Sequence, residues 1–145
     1  MPGKRRGTLV MLAFVALAGC GNKGPAPPDV SQTLLEAGRD NAVITLATVF
    51  PGNWERVVIV PPYTSENESR RIVGADWMGY ETAEIATRGN ITLLVFLDAN
   101  KSVITGGIVK RHIIDFNPVY RMGGYSRGDA KFRIVERVAV WVPAD

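Results

Sequence analysis

The sequence offers few side chains for acid–base or thiol chemistry, because it contains one histidine, His112, and one cysteine, Cys20. A catalytic histidine is usually oriented by a third group, and Asp115 is the nearest carboxylate along the chain. On the strand predicted for this region, His112 and Asp115 point to opposite faces. We therefore assign no catalytic residue and expect an exposed histidine, with a hydrolase that uses His112 as the third alternative.

Metal chemistry is not expected either. Zinc sites need three or four ligands, and one histidine with one cysteine does not supply such a set. Asp98 and Asn100 offer oxygen ligands in a turn, and an oxygen-only calcium site stays open there as an alternative. That turn also contains Lys101, however, and lacks the further acids of a calcium loop. The sequence therefore predicts no metal and no cofactor.

Aromatic residues and arginine are the side chains best suited to binding, because they combine apolar area with directed hydrogen bonds. The residues selected on this ground are Trp54, Arg56, Tyr63, Trp77, Tyr120 and Arg121. The last two belong to a glycine-containing loop, residues 117–127, which also carries Met122. Exposed loops often carry binding function. The alternative is that the two tryptophans pack in the core and that the loop is only solvated.

Local patterns place the strands. The segments predicted as strands are Arg56–Val60, Ile91–Leu97 and Ser102–Val109. The first is a continuous run of β-branched residues, which is typical of a buried strand. The other two are separated by turn residues 98–101 and therefore predict a hairpin. We expect a bulge at Gly106-Gly107, beyond which the strand continues to Phe116.

Capping signals place two helices. Ser31 is the predicted N-cap of a short helix that opens the folded body. Ser65 and Glu68 have the spacing of a capping box, which predicts a helix from Glu66 to about Val73 that ends at Gly74.

These elements together predict an α+β fold, with an antiparallel sheet of about four strands and short helices packed on one face. Residues 31–145 form a single globular domain in this prediction. Lys131–Val142 supplies the last strand region, with Phe132 and Val140 among the inward-facing residues. Asn41–Phe50 is compatible with either a strand or a helical turn.

The net charge of +3 is concentrated at the N-terminus. Three basic residues at positions 4–6 precede the apolar run Thr8–Leu17, whereas the chain from residue 21 onward has 14 basic and 14 acidic residues. The neutral body makes nucleic acid an unfavourable partner. A basic segment followed by a short apolar run predicts a signal peptide over residues 1–19. Residues 20–30, rich in glycine and proline, predict an extended tether of about 25–30 Å.

The segment Leu17-Ala18-Gly19-Cys20 resembles the lipobox of bacterial lipoproteins. The resemblance implies cleavage before Cys20, thioether-linked diacylglycerol on its sulfur and usually a third acyl chain on its amino group. Several chains anchor firmly, because each buried methylene contributes about 0.8 kcal/mol. An aspartate after the cysteine favours the inner membrane in this family. Gly21 at that position therefore implies the outer membrane, facing the periplasm.

The body of the chain also resembles a known group. Trp54-Glu55-Arg56, the following strand and Pro62-Tyr63-Thr64 resemble a pattern in an uncharacterised family of small exported bacterial proteins. Trp77 and Asp115-Phe116 follow in similar order, so the resemblance covers roughly residues 44–116. It implies a related fold and no particular activity.

The sequence thus predicts a membrane-anchored lipoprotein with a non-catalytic accessory or structural role in the cell envelope. Its expected partners are the lipid bilayer, through acylated Cys20, and an envelope protein. The alternative from a different class is a periplasmic module that binds a small ligand in an aromatic cleft near Trp54 and Trp77.

Overall fold

The computed structural model describes residues 24–145, so the predicted signal peptide and Cys20 lie outside the described residues. Within that range the helices are α1 Ser31–Ala37, α2 Leu46–Val49, α3 Glu66–Val73 and α4 Gly79–Thr82. The strands are β1 Ile44–Thr45, β2 Arg56–Val60, β3 Ile91–Leu97, β4 Val103–Lys110, β5 Tyr125–Ser126, β6 Lys131–Val135 and β7 Val138–Trp141. Short 3-10 turns lie at Arg39–Asn41 and Asn117–Val119.

The larger sheet has four antiparallel strands in the order β4-β3-β2-β5, which confirms the predicted α+β class and strand number. The predicted hairpin is β3–β4, and Oδ1 of Asp98 closes its turn by accepting the amides of Asn100 and Ser102 at 2.9 and 3.0 Å. Every residue of β3 is buried, because this strand is central and covered on both faces.

A second, three-stranded sheet has the order β1-β6-β7. The segment predicted as one last strand region is therefore a hairpin, with Glu136 and Arg137 at the turn and both at positive φ (50° and 65°). Two positive φ angles in succession are what a two-residue hairpin turn of type I′ requires. Phe132 is buried as predicted, but Val140 is exposed and Ala139 is the buried residue of β7, so the predicted inward face of the last segment is wrong there.

The helices lie on both faces of the four-stranded sheet, not on one face as predicted. Alternate residues of β2 point to opposite sides, and each side builds its own apolar cluster. Val57 and Ile59 belong to a cluster that contains α1, α2 and the small sheet. Val58 and Val60 belong to a cluster that contains α3 and α4. The molecule therefore has two hydrophobic clusters with the large sheet between them.

The glycine pair of β4 does not form the predicted bulge. Gly106 and Gly107 stay in register with Val95 and Leu94, and the irregularity in the ladder lies between Phe96 and Leu97. The strand ends at Lys110, followed by a turn, so the predicted continuation to Phe116 is also wrong.

The capping box of α3 is present as predicted. Oγ of Ser65 accepts the amide of Glu68 at 3.1 Å, and Gly74 ends the helix at φ +78°. Ser31 is not an N-cap, because it is the first residue of α1 and its N-cap is Val30. Its hydroxyl instead donates to Oδ1 of Asp29 at 2.6 Å and accepts the amide of Lys110 at 2.8 Å.

The fixed part of the chain begins before Ser31. Pro27 is buried, and the amide of Ile108 donates to the carbonyl of Pro28 at 2.8 Å. Val30 donates back to the carbonyl of Ile108 at 2.9 Å. The end of the predicted tether is thereby held along β4 in a parallel bridge. Among the helices in residues 24–145, none has the length and apolar character to cross a bilayer.

Candidate interaction surfaces

The first candidate surface is an open cleft of about 520 Å³ at one end of β2, which we call the Arg56 cleft. Its lining residues are Arg56, Arg71, Ile72, Val73, Gly74, Leu97, Lys101, Met122 and Gly123. They come from five places: the start of β2, the end of α3, the end of β3, the β3–β4 turn and the loop before β5. Long-range folding therefore assembles the cleft, since β2 pairs directly with both β3 and β5.

The Arg56 cleft combines an apolar floor with a basic rim. Nη1 of Arg56 donates to the carbonyl oxygen of Gly123 at 2.7 Å, which holds its guanidinium beside the loop without neutralising it. Arg71 forms an ion pair with Glu68, and its Nε donates to Oε2 of that carboxylate at 2.9 Å. No acidic residue lines the cleft, and the side chain of Met122 is 60% exposed beside the two remaining cations, Arg56 and Lys101.

A smaller depression of about 330 Å³ shares Arg56 and Lys101 with this cleft. Its other lining residues include the acidic Glu55 and Asp98. Opposite charges therefore lie on the two sides of Arg56. Such a divided surface favours recognition of a partner with complementary charges rather than general attraction to one sign of charge.

Trp54 is a core residue. It is buried, its Nε1 donates to the carbonyl of Phe50 at 2.6 Å, and its ring packs edge-on against Phe96 at 5.0 Å between centroids. Arg127 covers the outer face of the indole at 4.7 Å and donates to the carbonyl of Gly52 at 2.9 Å. These contacts tie the loop before β2 to the sheet, which is the packing role weighed above as the alternative for this tryptophan.

Trp77 lies on the other face of the sheet, wedged between two glycines. A Cβ built at Gly106 would lie 2.3 Å from Cη2 of the indole, and one at Gly79 would lie 2.2 Å from Cζ2. Trp54 belongs to one hydrophobic cluster and Trp77 packs against the other. The aromatic cleft that was predicted near both tryptophans therefore does not form.

Trp77 instead lines the second candidate surface, a groove of about 500 Å³ that we call the Trp77 groove. One wall is the segment Gly24–Pro28, and the other comes from α4 and β4. Met78 and Ile104 line it with exposed fractions of 60% and 47%. Among residues 24–145, no charged side chain lines this groove, whereas the Arg56 cleft and the smaller depression beside it each have several.

The remaining predicted binding residues are dispersed. Tyr63 is 70% exposed beyond the opposite end of β2 from Arg56, with its ring against Gly89. Arg121 stacks over the ring of Tyr125 of β5 at 3.9 Å and lies 5.0 Å from the ring of Trp141 of β7, so it covers one aromatic ring from each sheet and lines neither candidate surface. Tyr120 is half-buried between the two hydrophobic clusters. Of the predicted set, only Arg56 and Trp77 line the two candidate surfaces.

His112 lies outside both candidate surfaces. It is exposed in the turn after β4, which replaces the predicted strand at this point. The guanidinium of Arg111 donates two hydrogen bonds, of 3.0 and 3.1 Å, to the carboxylate of Asp115. Partial burial opposes the charge of Asp115, but the bonds from Arg111 and the amide of Asn117 outweigh it and lower its pKa. Within residues 24–145, no three His, Cys, Asp or Glu side chains converge to hold a metal ion.

The expectation that no nucleophilic serine stands in a Gly-x-Ser-x-Gly motif is wrong at the level of the sequence, because Gly-Tyr-Ser-Arg-Gly at residues 124–128 has that spacing. In hydrolases this spacing exposes the serine on a sharp turn between a strand and a helix. Here Ser126 ends the short strand β5, and a turn follows it instead of a helix. Its hydroxyl donates to the carboxylate of Asp129 at 2.9 Å, so the motif closes a turn.

Among the charged and the exposed large apolar residues that line the two surfaces, four were not predicted from the sequence as binding residues: Arg71, Met78, Lys101 and Ile104. Arg71 and Lys101 look like ordinary solvated charges on a helix and in a turn. Ile104 looks like an ordinary strand residue in the sequence, and only the structure shows that Ile104 and Thr105 are both exposed at the start of β4. Only the folded chain brings these positions next to Arg56 and Trp77.

Comparisons with known proteins give no relative: the chain matches no protein-family model, no curated protein and no solved structure.

Proposed function

We propose that this protein is a bacterial lipoprotein, anchored in the outer membrane through acylated Cys20 and facing the periplasm. Its role in the cell envelope is accessory or structural and non-catalytic. It acts by binding an envelope protein at the Arg56 cleft. The lipobox at residues 17–20 supports the anchor, and the cleft supports the contact.

The observation that carries the proposed contact is the pairing of an exposed apolar side chain with unneutralised cations in one recess. Met122 projects beside Arg56, whose guanidinium is fixed by a neutral carbonyl. Methionine adapts its shape to a partner, and arginine is enriched where interfaces have their strongest contacts. The complementary partner is a protein segment that carries an acidic side chain next to an apolar one.

Photo-crosslinking in intact Gram-negative cells tests this proposal. A photoreactive amino acid at position 122 is expected to give a discrete crosslinked product. The matched control is position 135 in β6, where Val135 is also exposed but lies outside both candidate surfaces. A product of the same intensity at both positions, or none at position 122, contradicts the proposed contact.

Charge reversal separates the cleft from the rest of the surface. Arg56→Glu in the position-122 protein is expected to reduce the product by about tenfold or more, as the loss of an interface arginine does. Arg133→Glu, at an exposed position of β6, is the control and is expected to leave the yield unchanged. Equal effects of the two reversals would mean that the cleft does not select the partner.

A further inference from the structure

The Trp77 groove lies where the chain leaves the folded body toward Cys20. Residues 27–30 are fixed on β4 by burial of Pro27 and by the two hydrogen bonds with Ile108. Gly24 itself lines the groove. The part of the chain that separates the anchor from the body is therefore much shorter than the tether predicted from composition.

Covalent geometry limits the distance between the groove and the anchor. Four peptide links join Cys20 to Gly24, and a fully extended chain covers about 3.3–3.6 Å per residue. Whatever conformation residues 21–23 adopt, the Cα atoms of Cys20 and Gly24 are therefore at most about 14 Å apart. A lipidated Cys20 sits at the headgroup level of a bilayer, so Gly24 at the edge of the groove lies no more than about 14 Å from that level.

The groove also has the composition of a membrane-contacting surface. Met78 and Ile104 are exposed, and Trp77 between them is half-buried with an indole of the kind that favours the lipid–water interface. None of the lining residues within residues 24–145 is charged, so placing their side chains against lipid would desolvate no ion among them. Exposed apolar side chains grouped around a recess often mark a contact surface.

We propose that the Trp77 groove rests on the bilayer surface, with Met78 and Ile104 inserted at the level of the lipid headgroups. This inference rests on the proposed lipid anchor. It fixes the orientation of the molecule: the Trp77 groove faces the membrane, and the small sheet on the other side of the four-stranded sheet points away from it.

Depth-dependent quenching tests the orientation. The lipidated protein is prepared with Met78→Cys, Ile104→Cys or Val140→Cys, and each new thiol is labelled with an environment-sensitive fluorophore. Lipidation occupies the sulfur of Cys20, so the label reports one site. The vesicles contain phosphatidylethanolamine and phosphatidylglycerol, with or without lipids that carry a shallow nitroxide quencher. Val140 is the control, because it is exposed on β7 across the sheet from the groove.

The expected result is quenching at positions 78 and 104 at least about threefold stronger than at position 140, because interfacial side chains sit about 5–10 Å deep. Flotation of each protein with the vesicles is measured in parallel. Proteins that float but show equal quenching, or none at positions 78 and 104, overturn the orientation and leave the anchor intact. Failure of the wild-type protein to float overturns the proposed anchor and the orientation with it.

Discussion

At the scale of single residues, the carboxylate of Asp29 fixes the N-terminal segment to the sheet. Its Oδ1 accepts the amide and the hydroxyl of Ser31 at 2.9 and 2.6 Å, and its Oδ2 lies 3.2 Å from Nζ of Lys110. Partial burial raises its pKa, but the bonds from Ser31 and the ammonium of Lys110 together lower it below the ordinary value of 3.8. The charged form of Asp29 is therefore the one that holds the segment.

Docking of residues 27–30 should weaken at low pH for this reason. A carboxylate with a lowered pKa in the folded state contributes stability that is complete above its unfolded value of 3.8 and is lost as the pH falls through the lowered value. The amide chemical shifts of Val30 and Ile108, followed by NMR from pH 7 to pH 2, are expected to change together in that acidic range. Asp29→Asn is expected to abolish this step, and its persistence in the variant would refute the role given to Asp29.

Ser31 is a second residue whose hydrogen bonds stabilise the fold. It is fully buried, and its hydroxyl donates to Asp29 and accepts the amide of Lys110. Ser31→Ala leaves a backbone amide of Lys110 without its partner and is expected to cost about 1–3 kcal/mol in urea unfolding. The matched control is Ser69→Ala, since Ser69 is also fully buried but its hydroxyl has no partner among the described residues. Ser69→Ala is expected to cost nothing, and equal losses for both serines would refute the account.

At the scale of elements, adjacent glycines in β4 serve the two faces of the sheet separately. Gly106 leaves room for the indole of Trp77, whereas a Cβ at Gly107 would lie 2.8 Å from Cγ2 of Val30. Consecutive strand residues point to opposite faces. Gly106 therefore makes room for the indole that lines the Trp77 groove, and Gly107 makes room for Val30 of the N-terminal segment. The pair was predicted to form a bulge because glycine inside a strand often marks one. The side chains that the two glycines make room for are distant in sequence, so the sequence does not reveal them.

The Gly123-Gly124 pair before β5 provides a matched test of backbone packing. Both glycines have positive φ, 80° and 66°, where alanine costs about 1–2 kcal/mol. Only at Gly124 would a Cβ meet another chain segment, at 2.1 Å from the carbonyl oxygen of Val57. Gly124→Ala is therefore expected to lower the free energy of unfolding clearly more than Gly123→Ala in urea titrations. Equal losses would show that β5 does not need this close approach to β2.

Elements with local signals were predictable from the sequence, and elements defined by distant pairing were not. The cap of α3, the buried strand β2 and the β3–β4 hairpin each depend on residues within one short segment. The small sheet depends on the pairing of Ile44 with Phe132, which are 88 positions apart in number. The sequence left Asn41–Phe50 open between a strand and a helical turn, because the partner of its strand is distant in sequence. The segment contains both β1 and α2.

At the scale of the whole molecule, the same residue types serve both the core and the surface, which limits what composition tells about a site. Trp54 and Trp77 were predicted together, yet the sheet separates them. Arg56 and Arg121 were also predicted together, but Arg56 lines an open cleft while Arg121 stacks over Tyr125. The sequence identified residue types suited to binding, and only the fold decided which of them are accessible.

In the proposed function, the two candidate surfaces divide the work: one rests on the bilayer and the other binds a protein. The Trp77 groove adjoins the exit toward Cys20, and the Arg56 cleft lies where β2, β3 and the loop before β5 meet. Both assignments rest on the proposed lipidation of Cys20, because it is this modification that would bring the body to a membrane.

Intact-mass analysis of protein made in a Gram-negative host tests that claim most directly. We predict a chain that begins at Cys20 and carries the mass of a diacylglyceryl group plus an amide-linked acyl chain. Cys20→Ala is expected to remain uncut and unacylated, and to be lost from the outer-membrane fraction. A wild-type chain that keeps residues 1–19 and carries no acyl group would contradict the account.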